Sequence, residues 1–348
     1  MSMGRFFAAV TAALIAFSAV SCSHQINVDD DNDNNVQTTV TGEGEKETTS
    51  DNTNKDSDDI NSYIKVKEAK PAVWKVTDTK TGSELYMLGI LRFATEYTFA
   101  MPDYVNELYD KSSGIVIETD GADMTKEQWD EFYNQMFYND GTTVKDHISK
   151  ETYEKAKKFL QDNFYYNEMS ENIIANGWAS QVNAIIINRV KNLVMETLDA
   201  SFTGKAKIDG KPILGLEDMS TQTKSMNACS DELTDFMISD TMRRGEDISA
   251  FTANLADQHD SWAKGDVDVL DEEYYWGDRS SELDDDYAAY LKVNLYERNE
   301  NMAEKIEGFL ENGDNYFIVI GVTHFSGKKG IDDILEEKGY KVERIDKQ

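Results

Sequence analysis

The apolar positions of the chain gather into short dense runs separated by long stretches of helical spacing. "AVWKVTDTK" and "TGSELYMLGI" are two β-rich runs around a turn of Asp, Lys, Thr and Gly, which predicts a hairpin. "LYMLGI", "GIVIETD", "GKPILGLEDM" and "NYFIVIGVTHF" are apolar at nearly every position, as strands buried on both faces are. Between the first two runs, "MPDYVNELYDKSSG" has Val105, Leu108 and Tyr109 on one helical face, with Pro102 where a helix begins. From Thr125 to about Leu198 the spacing is helical, opening on a capping-box signature at Thr125 and Gln128. More helices are expected from Thr221 to about Leu270. A long one over "YAAYLKVNLYERNENMAEKIEGFLENG" is expected to end at Gly313. "GIDDILEEKGYKVERI" predicts a last helix and an edge strand. The fold class expected is α/β: a three-layer α/β/α arrangement on a mixed, largely parallel sheet, with a helical insertion between the second and third core strands.

The amino-terminal segment changes this picture. Arg5, the apolar run "FFAAVTAALIAF" and the small residues of "SAVSC" have the form of a secretory signal peptide, too short for a permanent span. "AVSC" resembles the lipobox of bacterial lipoproteins, so residues 1–21 read as a lipoprotein signal peptide and Cys22 as the lipidated residue. Residues 22–62 read as a disordered acidic tether. Positions 23–62 hold eight Asp and three Glu against two Lys, with no aromatic residue and almost nothing to bury. Residues 63–348 are then the folded domain. It is expected at the cell envelope outside the cytoplasm, held to a membrane by the lipid on Cys22.

The charge of −31 on 348 residues excludes one class of partner. Phosphates would be repelled, and no basic stripe compensates, which argues against nucleic acid. Two cysteines, one of them Cys22, allow no disulfide framework in the mature chain, and Cys229 reads as a neutral free thiol. No Gly-x-Ser-x-Gly elbow, P-loop or Gly-x-Gly-x-x-Gly is present. His147 and His259 read as surface residues.

Candidate chemistry lies just after each buried run: Arg92, then Glu118 and Asp120, then Glu217 and Asp218, then His324. In open α/β sheets the carboxyl ends of the strands line the ligand crevice, so parallel strands would bring these groups together. The first and last runs share a grammar, Gly89-x-x-Arg92 and Gly321-x-x-His324, each followed by Phe. Arg298 has no acidic residue three or four positions away on its helix, so any partner is tertiary.

"AVWKV…ELYMLGILRF", "GIVIETD", "LDASFTGKAKIDGKPILGLEDMSTQ", "WAKGDVDVL", "YERNENMAEKI" and "YFIVIGVTHFSGKKGIDDILEEKGYKVERI" resemble, in order, the layout of the TraB/GumN family, which includes the Tiki-type metalloproteases. The resemblance implies a divalent-metal-dependent hydrolase or peptidase with paired Gly-x-x-His motifs. It implies roles for Glu118, Glu217 and Arg298 in catalysis, for His324 and Glu118 at a metal such as Mn, Co or Zn, and for Gly89 and Gly321 as motif glycines. The substrate implied is a peptide or cell-envelope component. Position 92 departs from the pattern: arginine has no lone pair for a metal, and its guanidinium would either repel a cation or pair with Glu118 or Glu217. Two readings follow, a metal-dependent hydrolase with a degenerate first motif, and a non-catalytic descendant that binds a ligand or partner in the same cleft.

Overall fold

A computed structural model describes residues 57–120, 125–194, 196–270, 279–327 and 329–346. The expected signal peptide, Cys22 and nearly all of the expected tether lie outside the described residues. At the tether's end the chain is already packed: Ile60 is buried, Asp59 caps the short turn Ile60–Ser62, and Asp58 pairs with Lys191 at 3.1 Å. The expected domain start at residue 63 therefore falls inside a packed segment.

The strands are β1 (Val73–Thr77), β2 (Glu84–Ile90), β3 (Gly114–Thr119), β4 (Ile213–Glu217), β5 (Tyr316–Gly321) and β6 (Lys341–Arg344). The helices are α1 (Asp103–Lys111), α2 (Lys126–Asn134), α3 (Lys150–Asp162), α4 (Ala175–Ile187), α5 (Leu198–Asp209), α6 (Met219–Met226), α7 (Asp231–Glu246), α8 (Ile248–Ala263), α9 (Asp284–Leu291), α10 (Glu297–Asn312) and α11 (Ile331–Glu337). They form one mixed sheet in the order β4-β3-β5-β2-β1-β6. β4, β3, β5 and β2 run parallel, while β1 is antiparallel to both β2 and β6. This is the α/β class expected. All of β3 and Phe317–Gly321 of β5 are buried, which requires cover on both faces of the sheet. On one face Phe317 meets Tyr109 of α1 and Phe202 of α5.

The insertion between β3 and β4 packs its own core around Trp178, Val182 and Ile186 of α4, joined by Ile238 of α7. The helical spacing read as far as Leu198 is not helix throughout. α4 stops at Ile187, and Asn192 takes a left-handed φ of 62° in the turn that follows. The capping box at Thr125 and Gln128 is formed, and Gly313 closes α10 with φ 80°. Between α9 and α10 the chain makes a π turn over Lys292–Tyr296, in which the Glu297 amide donates to the Lys292 carbonyl five residues back.

His259 differs from its expected surface position: it is fully buried. Leu255, His259 and Trp262 share one stripe of α8, and that stripe faces the core. His147 is half-buried between Thr142 and Asp231, stacked on Tyr138. Burial pushes the Cys229 thiol up to about 12, so it is neutral.

Candidate functional site

Strand order decides which strand ends meet. β3 lies between β4 and β5, pairing Thr119 with Glu217 on one side and Ile117 with Val319 on the other. Glu118 and Glu217 therefore emerge beside each other at the carboxyl edge, next to Gly321. Both carboxylates are buried, and between them lies the guanidinium of Arg298, itself only 4% exposed.

Arg298 addresses Glu217 with a fork. Its Nε donates to Oε1 at 2.9 Å and its Nη2 to Oε2 at 2.8 Å. Nη2 also reaches Oε2 of Glu118 at 3.2 Å, and Nη1 donates to the Asn294 carbonyl at 3.1 Å. The π turn sits one helical turn before this side chain and supplies that carbonyl. Gln222 of α6 completes Glu217, donating to its Oε2 at 2.9 Å and to Thr119 at 3.1 Å. A solvated position on a helix face is thus not where Arg298 is. The lack of an acidic neighbour on its own helix was the available signal for a tertiary ion pair.

The other oxygen of Glu118 accepts the Gly321 amide at 2.8 Å. A Cβ on Gly321 would lie 3.0 Å from that oxygen, so glycine is what lets the carboxylate approach. Gly89 plays the corresponding part on β2: a Cβ there would meet Val322 at 3.1 Å, in the turn that carries His324. The Gly89 carbonyl accepts from the Trp262 indole at 2.9 Å.

His324 follows Gly321 in a single helical turn, Val322–Phe325, and is fully buried. Its Nδ1 lies 2.6 Å from Oδ1 of Asn299. Asn299 donates its own amide to the Lys329 carbonyl at 2.8 Å, so its Oδ1 is the acceptor and Nδ1 of His324 carries the proton. The lone pair is left on Nε2, which has no hydrogen-bond partner and stands 3.6 Å from Oε1 of Glu118.

Burial pushes the His324 ring down to about 3, so it is neutral near pH 7. Burial alone would raise Glu118. The facing His324 ring, the charges of Arg92 and Arg298 and the Gly321 amide reverse that and bring it to about 2. Because the ring is neutral, the two guanidiniums and the amide keep Glu118 ionised near neutrality. Burial pushes Glu217 above its ordinary value against the pull of Arg298, with Glu118 adding to the rise. Asp199, in the first turn of α5, is raised by burial and by its proximity to Glu118.

Sequence reasoning singled out Glu118, Glu217, Arg298 and His324, and the structure brings these four into one cluster. Arg92 is different. The expected bidentate bridge to a site carboxylate is made by Arg298, while Arg92 is exposed and acts on Glu118 and His324 through its charge. Asp218, also noted after its strand, caps α6 by accepting from the Thr221 amide. Asn299, Gln222, Thr119 and Asp199 were missed, since nothing local distinguishes a buried Asn or Gln from a solvated one.

The donor set can be tested against a divalent ion. A zinc site needs three or four N, O or S ligands. Here Oε1 of Glu118 holds an amide and Oε2 a guanidinium, and three N–H groups occupy Glu217. Only Nε2 of His324 is an unengaged ligand atom in this cluster. Among the described residues no group of three or more His, Cys, Asp or Glu could hold a metal ion. The residues present do not fit a metal with a complete protein ligand set.

A largely parallel α/β sheet with two glutamates, an arginine and a histidine buried at its carboxyl edge, framed by two strand-Gly-x-x motifs, defines the class. The family model described as the TraB/PrgY/gumN family matches residues 72–344, and the chain belongs to that family. The chain is also similar to "Metalloprotease TIKI2" of Danio rerio, 38% identical over 63 residues, which is 17% of this chain and 12% of that protein. No solved structure matches the chain.

Proposed function

We propose that the chain is a lipid-anchored, exported member of the family that uses the cleft at the carboxyl edge of the sheet to bind a peptide or cell-envelope ligand, as a descendant of a metal-dependent peptidase. The observation that carries this reading is the engagement of both site carboxylates by N–H donors, together with arginine at position 92. A guanidinium brings the positive charge that a metal would otherwise bring, but it offers no open coordination position for a water. Export and anchoring rest on the amino-terminal run and Cys22. The second reading, a hydrolase that still uses a divalent ion, is favoured by one feature: Nε2 of His324 is buried, neutral and unpartnered.

Metal titration of the full chain by calorimetry separates the two. Mn²⁺, Co²⁺ and Zn²⁺ are expected to show no binding that depends on His324. One equivalent bound by the parent and lost in His324→Ala would overturn the proposal in favour of the hydrolase.

A further inference from the structure

The turn that ends α3 carries an apolar side chain that the fold neither buries nor accommodates without strain. α3 closes in a Schellman motif: the Phe164 amide donates to the Gln161 carbonyl at 3.1 Å and the Tyr165 amide to the Leu160 carbonyl at 2.9 Å. Such a motif needs a left-handed residue after the helix, and glycine is the usual choice. α5 and α10 do close on left-handed glycines, Gly210 and Gly313. After α3 the residue is Phe164, with φ 65°. A bulky side chain is strained in that conformation. Burial does not offset the strain, because Phe164 is 84% exposed. From Asn163 to Asn167 the chain has three aromatic residues and no charge, and Met169 just beyond is 38% exposed.

The position of this turn indicates what the ring meets. The segment after α4 holds it: the Arg189 guanidinium lies 4.9 Å from the Phe159 ring centroid and donates to Asn163 at 3.5 Å. The same segment holds the first described residues of the chain. The Lys191 amide donates to the Asp58 carbonyl at 2.7 Å, and Asn192 donates to Asp59 at 2.7 Å. The chain coming from the expected lipid on Cys22 therefore enters the domain beside Phe164. Residues 23–56 are enough chain for this face to settle on the bilayer that holds the lipid. Charge agrees with that placement. The whole chain carries −31, yet here Asp162 is paired with Lys158 at 2.7 Å and Asp58 with Lys191 at 3.1 Å, and Arg189 adds a cation. A locally balanced, aromatic patch suits the interface of an electrically neutral bilayer. We propose that Phe164 is a membrane-docking residue. Its ring enters the interface of a zwitterionic bilayer and, together with the lipid on Cys22, fixes which face of the domain lies against the membrane. The inference rests on the lipid-anchored reading above and adds a second contact to it.

The test uses the mature chain, beginning at Cys22, with that thiol coupled to a maleimide bearing one myristoyl-length chain. Cys229, its thiol pushed up to about 12, stays unmodified near neutral pH. One acyl chain binds bilayers only marginally and reversibly, so a second contact can be read by sedimentation with phosphatidylcholine vesicles. Phe164→Gly is expected to partition about tenfold more weakly, the effect of withdrawing one aromatic ring from the bilayer. It is expected to melt about 2 °C higher, because glycine relieves the left-handed residue. Phe164→Trp is expected to partition as the parent does and to be quenched by brominated phosphatidylcholine. Ile208→Ala, at a residue of α5 that is 87% exposed, is expected to stay within about twofold of the parent. Phe164→Gly binding within about twofold of the parent, an unquenched tryptophan in Phe164→Trp, or an equal loss in Ile208→Ala would each overturn the proposal. So would a dimer in lipid-free solution that Phe164→Gly abolishes, which would assign the ring to a second copy of the chain. The acyl chain is supplied chemically, so these outcomes do not depend on lipidation in the cell. The anchored reading fails by itself if the full chain takes up no fatty-acid label, or if Cys22→Ser still takes it up.

Discussion

The two strand-Gly-x-x segments differ in depth more than in frame. β2 and β5 are parallel neighbours in which Ile90 pairs with Gly321, so the motif on β2 and the motif on β5 end at the same sheet edge. Both glycines permit a close approach, Gly89 to Val322 and Gly321 to Glu118. Three residues after the glycines the copies part: His324 is sealed in, with Phe325 beside it buried against Trp74 at a ring-centroid distance of 4.1 Å, whereas Arg92 reaches the surface. One frame therefore carries a buried histidine in one copy and an exposed arginine in the other. The copy with the histidine also has the residue that orients it, Asn299.

The comparison breaks most severely at Arg298. Arg298→Met leaves Glu118 and Glu217 buried without their cation, and about 3–5 kcal/mol of stability is expected to be lost in chemical denaturation. A loss under about 1 kcal/mol would mean that the carboxylates find water or other partners. Next come the two motif side chains themselves. His324→Ala removes a fully buried ring bonded to Asn299, with an expected cost of about 2–3 kcal/mol. Arg92→Ala, at an exposed position, is expected to cost less than about 1 kcal/mol. Equal costs in the same denaturant series would show that the copies are not as different in depth as described.

The smallest effect is a slope. His324 is held below its ordinary value in the fold, so it contributes stability that is full above about 6.5, the ordinary histidine value, and lost as the pH falls towards about 3. Glu118 adds a loss of the same sign only below the ordinary glutamate value, as the pH falls towards about 2. Asp332, raised by burial to about 6, acts in the opposite sense, its contribution lost as the pH rises. Between pH 6 and 5, His324 is expected to lower the stability of the parent with acid by up to about 1.4 kcal/mol per unit against the opposing Asp332, and His324→Gln is expected to leave stability rising with acid. An unchanged slope would place the titration elsewhere, at the buried His259 for example, whose ring burial also pushes down.

The strands were legible because burial on both faces writes an unbroken apolar run, and the capping box and Gly313 because they are local. His259 was within reach: Leu255 and Trp262 set the stripe on which it lies. The order of the strands was not. Nothing in "NYFIVIGVTHF" says that β5 enters between β2 and β3, yet that placement sets Gly321 against Glu118. Asn299 and Gln222 were illegible for the same reason. Their polarity is ordinary, and only the tertiary arrangement shows where it is directed.

The central position of β5 also has a consequence in time. β2 and β3 are made early, but in the sheet they do not touch, and the strand that joins them is among the last to leave the ribosome. Until then the two halves of the sheet each present an open parallel edge of buried-type residues, which invites pairing with other chains. Closure of long-range parallel pairs is slow in any case. A chain cut short before Tyr316 would hold two unjoined half-sheets in place of a destabilised domain.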